Sequence, residues 1–139
     1  MISIKRRVLS SITDQEIKRL KQLTLRPGYS GLRTDLNNAL RDSEIGKGFI
    51  FFIAKLDGKI VGWSALTNFA RTGEYCDFGV YVEAKYRHQG IASRLLFSAE
   101  HYVEKKYGKS FYIDVYPHDM KSECFFNKYD YCCCDYDMG

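Results

Sequence analysis

The chain has 139 residues, of which 45% are hydrophobic and 27% charged, a balance typical of one globular domain over residues 1–139. Its net charge of +4 is mild, so it favours the approach of anionic ligands without requiring nucleic acid. The start of the chain lacks the apolar core of a signal peptide, and the longest apolar run, residues 49–54, is too short to span a bilayer. We therefore expect a cytoplasmic domain with no membrane contact.

The first part of the sequence predicts a strand and then a helix. Alternating apolar residues indicate a strand at 2–8. Thr13, with Glu16 three residues later, forms the pattern of a capping box, which begins a helix. We expect Pro27–Gly28 and Ser30–Gly31 to end that helix in a loop.

The middle of the sequence predicts a second short helix and then three consecutive antiparallel strands. Asp57–Gly58 is a strong hairpin turn signal between the first two of these strands. Gly79, inside the third strand, indicates a bulge or the close approach of another backbone. The helix is expected at 33–41 and the strands at 48–56, 59–68 and 74–83.

The remaining sequence predicts a long helix, a strand, a helix and a last strand. Apolar residues recur at helical spacing from Ile91, and Gly108 is a typical helix stop. A strand at 110–116 and a helix at 121–129 precede a last strand in the segment YCCCDYDM. The element order is β-α-α-β-β-β-α-β-α-β, with one βαβ unit whose strands should be parallel. The fold class is therefore mixed α/β, a central and mostly antiparallel sheet flanked by helices.

A basic turn that contains a glycine, YRHQG at residues 86–90, lies just before the long helix. A helix start carries unpaired N–H groups and partial positive charge, so a glycine and an arginine there favour an anion site, most often for phosphate. The alternative is a plain connection with solvated basic side chains. The sequence contains neither a P-loop nor a dinucleotide-binding glycine motif, which excludes those two kinds of phosphate site.

The residues of this turn resemble the R/Q-x-x-G-x-G/A motif of the GNAT superfamily of N-acetyltransferases. The residues that follow position 115 also keep the family's spacing through its fifth strand and next helix, so the resemblance covers residues 74–131. It implies a GNAT-like fold in which backbone N–H groups of the turn hold the pyrophosphate of acetyl-CoA. The motif residues are Arg87, His88, Gln89, Gly90, Ile91 and Ala92.

The resemblance also implies further residues that bind acetyl-CoA. The N–H groups of Val80 and Val82, with Tyr81 between them, would contact the thioester carbonyl from the third antiparallel strand. Asp119 stands where the family usually has asparagine. Phe126 stands where many members have the tyrosine that protonates the departing thiolate.

Acetyl transfer to a primary amine requires that the amine lose a proton. Asp114 is one candidate base because an acidic residue inside a short strand is unusual; a partnered structural aspartate is the alternative. Asp77 and Glu74 are the other candidates, and a base acting through water is common in the family that the sequence resembles. Tyr129, one helical turn after Phe126, is a candidate acid, with a packing role as its alternative.

The acceptor itself is not encoded in any motif. From the element order, the loop that contains Tyr29 and Arg33 is expected to border the site of a small-molecule or peptide amine. An open sheet edge near the C-terminus could pair with a second copy, which leaves a homodimer open.

The five cysteines are read as reduced thiols, and we expect no metal cofactor. Three of them are consecutive, at 132–134, and adjacent cysteines pair badly. A metal site built from Cys124, Cys132, Cys134 and His118 is imaginable, but the spacing matches no zinc pattern.

Two other functions compete with catalysis. The chain could be a module that binds or senses acyl-CoA and has lost its chemistry, which the phenylalanine at position 126 motivates. The segment KGFIFFI at 47–53 partly resembles an aromatic RNA-binding strand, but the small residue of that motif is replaced and the element order differs. Nucleic acid is therefore disfavoured.

Overall fold

The computed structural model describes residues 1–25, 30–69, 73–115, 120–129 and 131. Single turns of 3-10 helix precede α1 and α4, at Leu9–Ser11 and Ala84–Tyr86. The strands and α-helices, in chain order, are β1 (Ile2–Val8), α1 (Asp14–Leu23), α2 (Ser30–Arg41), α3 (Ser43–Lys47), β2 (Ile50–Leu56), β3 (Lys59–Thr67), β4 (Tyr75–Val82), α4 (Ile91–Tyr107), β5 (Tyr112–Val115) and α5 (Met120–Lys128).

The described strands form one sheet in the order β1-β2-β3-β4-β5. The first three junctions are antiparallel, and β4 pairs with β5 in parallel. The predicted fold class and the parallel βαβ unit are therefore confirmed. The last predicted strand lies outside the described residues.

Among the described residues, the pairing between β4 and β5 covers only the first half of β4. It runs from Tyr75 opposite Tyr112 to Phe78 opposite Val115. On its other side, β4 stays paired with β3 as far as Val82. Within the described part of the chain, residues 79–82 therefore have a paired strand on one side only.

Helices pack on both faces of the sheet. On one face α4 buries an apolar stripe that includes Leu95, Leu96 and Ala99, and Phe126 of α5 joins the same core. On the other face α1 and α2 pack over a second core, which contains Leu20, Leu36, Phe51, Trp63 and Tyr81. The sheet is thus the middle layer, and the side chains of β2 and β3 alternate between the two cores.

Glu16 connects α1 to the first two strands. The predicted capping box is present, because Thr13 and Glu16 each accept a hydrogen bond from the other's backbone N–H. Arg7 of β1 donates to both carboxylate oxygens of Glu16, at 3.1 and 2.9 Å, and Lys55 of β2 donates at 3.2 Å. These hydrogen bonds, with that from Arg7 first, hold the pKa of Glu16 well below its usual range.

Two predictions about the α2–α3 region were wrong. Ser30 and Gly31, expected in a loop, are the first residues of α2. The short helix α3 was not predicted, because Gly46 is a weak helix former. Gly46 is needed there for packing: a Cβ at this position would lie 2.9 Å from the carbonyl oxygen of Ala39.

The interpretation of Gly79 as a bulge was also wrong. Gly79 pairs in regular register with Ala65, and the irregularity of the sheet lies between Ala54 and Lys55. What approaches Gly79 is a side chain, since a Cβ there would lie 3.0 Å from Cδ1 of Leu32 in α2. None of the described helices is long and apolar enough to cross a bilayer.

Because Glu16 bridges α1 to β1 and β2, we expect its substitution to destabilise the fold by an amount that depends on pH. Because its folded-state pKa is depressed, the contribution is present above the unfolded value of about 4.3 and is lost as the pH falls below it. We expect Glu16→Gln to lower the free energy of unfolding by about 1–2 kcal/mol at pH 7 and by less at pH 3. Urea denaturation at both pH values measures this difference.

The matched control is Glu44→Gln, because Glu44 also pairs with a lysine but its side chain is 78% exposed, against 15% for Glu16. This control should change stability by less than about 0.5 kcal/mol. Equal losses at the two carboxylates, or a difference that does not change with pH, would contradict the bridging role.

Candidate active site

Two backbone N–H groups of β4, those of Val80 and Val82, point away from β3, toward an edge that no described strand pairs with at this level. The N–H of Glu83 donates to the carbonyl of Val61 at 2.9 Å, so Glu83 faces β3. In an antiparallel pair, alternate residues face the partner strand. Tyr81 therefore also faces β3, and Val80 and Val82 face away from it.

Two further contacts agree with this alternation. The carbonyl of Glu74 accepts from the N–H of Tyr112 at 2.9 Å. Since Glu74, Val80 and Val82 are separated by even numbers of residues, the backbone groups of all three point to the β5 side. The carbonyl of Val82 accepts from Nε of Arg87 at 2.9 Å, on the side away from β3. Tyr81 was predicted to lie at the acetyl-CoA site together with the two valines. Its backbone N–H instead faces β3, and its ring is buried in the core under α1 and α2.

The turn before α4, called the anion turn after its predicted role, presents backbone N–H groups at its surface. His88 and Gly90 have positive φ angles, 65° and 80°, which are typical of backbone nests that collect N–H groups. Gly90 is the N-cap of α4 and no side chain caps this helix, so its first N–H groups, from Ile91 and Ala92, are left for solvent or a ligand. His88, Gln89 and Gly90 are exposed.

Arg87 is held at the start of this turn. Besides its bond to Val82, its guanidinium lies 5.4 Å from the ring centroid of Tyr81, a cation–π distance. The open edge of β4 and the turn are thus joined by one side chain. The structure brings together the predicted residues Val80, Val82, Arg87 and Gly90.

Two of the predicted bases lie side by side. Asp77 of β4 and Asp114 of β5 are directly paired in the parallel register, on the face opposite Ile113 and Val115, which pack toward α4. Glu74 precedes β4 and is exposed. Of the three carboxylates, only Asp77 and Asp114 form a neighbouring pair at the end of the β4–β5 ladder.

Asp35 of α2 was not predicted and adds a third carboxylate on this side of the sheet. Burial and the charge of Asp77 raise the pKa of Asp35, while a hydrogen bond with Thr67 opposes that rise. Asn68 donates to Asp77 at 2.9 Å. No local pattern marks Asp35 in the sequence, because the approach of α2 to β4 brings it to Asp77.

Phe126 and Tyr129 occupy different environments. Phe126 is only 4% exposed and packs edge-on against Phe78 at 6.3 Å between ring centroids. The hydroxyl of Tyr129 lies 2.7 Å from that of Ser93, in the first turn of α4. Tyr129 therefore brings a hydroxyl to the end of α4 that carries the anion turn, and Ser93 is a partner that the sequence did not indicate.

Of the two residues predicted to border the acceptor, Tyr29 and Arg33, the structure describes only Arg33. Arg33 donates from its guanidinium to the carbonyl of Thr24, at the C-terminal end of α1, and so ties α2 to α1. Tyr29 and Asp119 lie outside the described residues, as does His118.

No metal cluster is found among the described residues: no three His, Cys, Asp or Glu side chains are arranged to hold an ion. Burial, with the charges of Asp77 and Asp114, raises the pKa of the Cys76 thiol to about 12, so this cysteine is a neutral core residue. Cys124 is exposed and not in a disulfide, whereas Cys132 and Cys134 lie outside the described residues.

Comparison with known proteins identifies the family. The sequence model of the acetyltransferase (GNAT) family matches residues 16–131. The chain belongs to the GNAT family of acetyltransferases. Members of this family are acyltransferases and in general use acetyl-CoA as co-substrate. No curated protein sequence matches the chain.

Solved structures of GNAT acetyltransferases share the fold. An acetyltransferase of the GNAT family from Staphylococcus aureus Mu50 has 16% identity and a TM-score of 0.68, over 93% of this chain and 83% of that one. Glucosamine-6-phosphate N-acetyltransferase from Arabidopsis thaliana has 15% identity and a TM-score of 0.66, over 100% and 97%. An aminoglycoside acetyltransferase from an uncultured soil metagenomic sample has 18% identity and a TM-score of 0.63, over 93% and 85%.

The conformation of the anion turn can be tested through two glycines. A Cβ on Gly90 or on Gly31 would meet no atom within 4 Å, but only Gly90 has a positive φ. We expect Gly90→Ala to destabilise this GNAT domain by about 1 kcal/mol and Gly31→Ala, inside a helix, to stabilise it by about 0.5–1 kcal/mol. Thermal or urea unfolding measures both, and a neutral or stabilising Gly90→Ala would show that the turn is not left-handed.

Proposed function

We propose that this GNAT domain transfers the acetyl group of acetyl-CoA to a primary amine of a small-molecule or peptide acceptor. The observation that carries the proposal is the adjacency of the open N–H groups of Val80 and Val82 to the uncapped, glycine-started end of α4. One extended ligand with a carbonyl at one end and a pyrophosphate in the middle matches both features.

The anion turn would bind the pyrophosphate. The N–H groups of Gly90, Ile91 and Ala92 would donate to its oxygens, and the positive end of the α4 dipole would favour its charge. The guanidinium of Arg87 adds a permanent cation to the same turn. His88 and Gln89 are exposed there and would contact the ligand from the rim.

The open edge of β4 would polarise the thioester. As the amine attacks, the carbonyl oxygen gains negative charge, and a fixed backbone N–H donor stabilises that charge without reorganisation. The side chains of Val80 and Val82 pack in the α4 core, which holds the strand in place. Removal of one such donor typically costs about 100-fold or more in turnover.

The paired aspartates would receive the amine. Alkyl amines are protonated at neutral pH, with a pKa near 10.4, so a cation arrives and must lose its proton before it attacks. Asp114 or Asp77 would bind that cation and accept the proton, directly or through water. Two structural neighbours are named as acetyltransferases of aminoglycosides and of glucosamine 6-phosphate, which supports a small amine as acceptor.

Departure of the thiolate has two routes. A CoA thiol with a pKa near that of free cysteine, about 8.5, is a tolerable leaving group without an acid. Phe126 has no hydroxyl and cannot protonate the thiolate. The hydroxyl of Tyr129, which is hydrogen-bonded to Ser93, would supply the proton instead. The phenylalanine also favours the second candidate, a domain that binds acyl-CoA as a sensor without transferring it.

Donor binding is tested by calorimetric titration with acetyl-CoA. We expect micromolar affinity, and Gly90→Glu should weaken it at least about tenfold, because a carboxylate would face the pyrophosphate. The matched control is Gly108→Glu at the other end of α4, which also has a positive φ and open space around it. No binding by the unmodified chain, or equal losses in both variants, would contradict the proposed donor site.

Catalysis is tested with a panel of amines and the aspartate variants. We expect acetylation of at least one amine, and its rate to fall about 100-fold or more in the variant that removes the base, with loss of the acidic limb of the pH–rate profile, where the carboxylate would become protonated. The variants are Asp114→Asn and Asp77→Asn. An unchanged profile in both would exclude these residues, and donor binding without transfer to any amine would favour the sensor.

Tyr129→Phe separates an acid from a packing residue. The variant keeps the ring contacts with Phe97 and Phe125 and removes only the hydroxyl that meets Ser93. If Tyr129 is the acid, kcat should fall about tenfold or more with KM for acetyl-CoA unchanged. Equal kcat with lower stability would assign it to packing.

The acceptor loop is tested by Tyr29→Ala and Arg33→Ala. If this loop borders the acceptor, both variants should raise KM for the amine several-fold. Arg33 also ties α2 to α1, so the free energy of unfolding of the Arg33→Ala variant must be measured in parallel. Unchanged acceptor affinity and turnover in both variants would remove this loop from the site.

A further inference from the structure

A groove lies far along α4 from the anion turn. It is a groove of about 810 Å³ between β1, β2 and the C-terminal half of α4. Its apolar floor is formed by Ile4, Val8, Ile50 and Phe52. On the helix side its lining begins at Ser98, whereas the anion turn precedes Ile91, and no residue of β4 lines it.

The rim of the groove is cationic. Its charged lining side chains are Arg6, Lys47, Lys105 and Lys106, and none of its lining residues is an aspartate or glutamate. The other 17 lysines and arginines of the chain are balanced by 17 aspartates and glutamates, so these four equal the whole net charge of +4. His101 also lines the groove.

An aromatic ring, rather than a carboxylate, organises two of these cations. The guanidinium of Arg6 lies 5.1 Å from the ring centroid of Tyr102, and Nζ of Lys106 lies 3.1 Å from its hydroxyl oxygen. Within the described part of the chain, Arg6, Lys105 and Lys106 form no salt bridge. Their charge is positioned but not neutralised.

Stabilisation of α4 explains only part of this arrangement. Lys105 and Lys106 lie in the last turn of α4, where cations complement the helix dipole. That role does not account for Arg6 of β1 or Lys47 of α3, which reach the same groove from other elements. Lys47 also pairs with Glu44, but both side chains are largely exposed, and such a pair is easily exchanged for another anion.

We propose that this groove binds an amphipathic organic anion, a small soluble molecule with an apolar body and a phosphate, sulfonate or carboxylate group. The body would lie on the floor residues and the anionic group would contact the cations of the rim. The volume is within the range of about 300–1,000 Å³ that is usual for small-molecule sites.

The test uses 1-anilinonaphthalene-8-sulfonate, an aromatic anion whose fluorescence rises in an apolar environment, and the full folded chain. We expect saturable binding that weakens with salt and weakens at least about tenfold in Lys105→Glu/Lys106→Glu. The matched control is Lys5→Glu/Lys18→Glu, the same charge change at two exposed lysines that do not line the groove. Equal weakening in the two double variants, or none in the first, would overturn the proposal.

Three further measurements complete the test. Val8→Ser, at a floor residue already 46% exposed, should weaken binding about threefold if the apolar body contacts the floor, and no change would overturn the amphipathic assignment. The affinity should be unchanged in Gly90→Glu, which separates this site from acetyl-CoA binding; loss there would place the probe in the donor site. Binding to phosphatidylglycerol vesicles through the same lysines, without binding of the soluble probe, would overturn the proposal in favour of a membrane surface.

Discussion

The direction in which the backbone N–H groups of β4 point is the constraint on which the rest of the proposed site depends. Among the described residues, β4 pairs with β5 as far as Phe78 and Val115, and with β3 as far as Val82. A parallel ladder that continued would use the N–H groups of Val80 and Val82 within the sheet. No described strand pairs with residues 79–82 on the side away from β3, and the chain turns into α4 shortly after them. The same two strands fix the aspartates, since Asp77 and Asp114 are directly paired, one step before Phe78 and Val115.

Packing on both faces of the sheet holds this part of β4 in place. On one face Val80 and Val82 pack in the core under α4, and on the other Leu32 of α2 approaches Gly79 closely enough that any larger residue would displace it. Arg87 bonds to the carbonyl of Val82 and to the ring of Tyr81, which ties the anion turn to the strand. These contacts make the donors rigid, as stabilisation of a developing charge requires.

The features predicted correctly from the sequence depend on short-range patterns. The capping box of α1, the Asp57–Gly58 turn and the glycine before α4 each need only a few neighbouring residues. What could not be predicted depends on distant contacts. In the sequence Gly46 indicates a helix break, and only its packing against α2 explains why a glycine lies inside α3. Likewise, Ser93 contacts Tyr129 only because α5 packs on α4. The groove needs Arg6, Lys47 and Lys106 from three elements. The opposite orientations of Tyr81 and its neighbours follow from pairing with β3, which the family motif does not specify.

The most direct test of the central claim is an amide ¹H–¹⁵N titration of the chain with acetyl-CoA, because the proposed contacts are made by backbone N–H groups. The account predicts that the largest shifts occur at Val80 and Val82 on the open edge and at Gly90 and Ile91 in the turn. The amide of Gly79, which faces β3, should move less. Shifts confined to other parts of the molecule, with these four amides unmoved at saturation, would contradict the account.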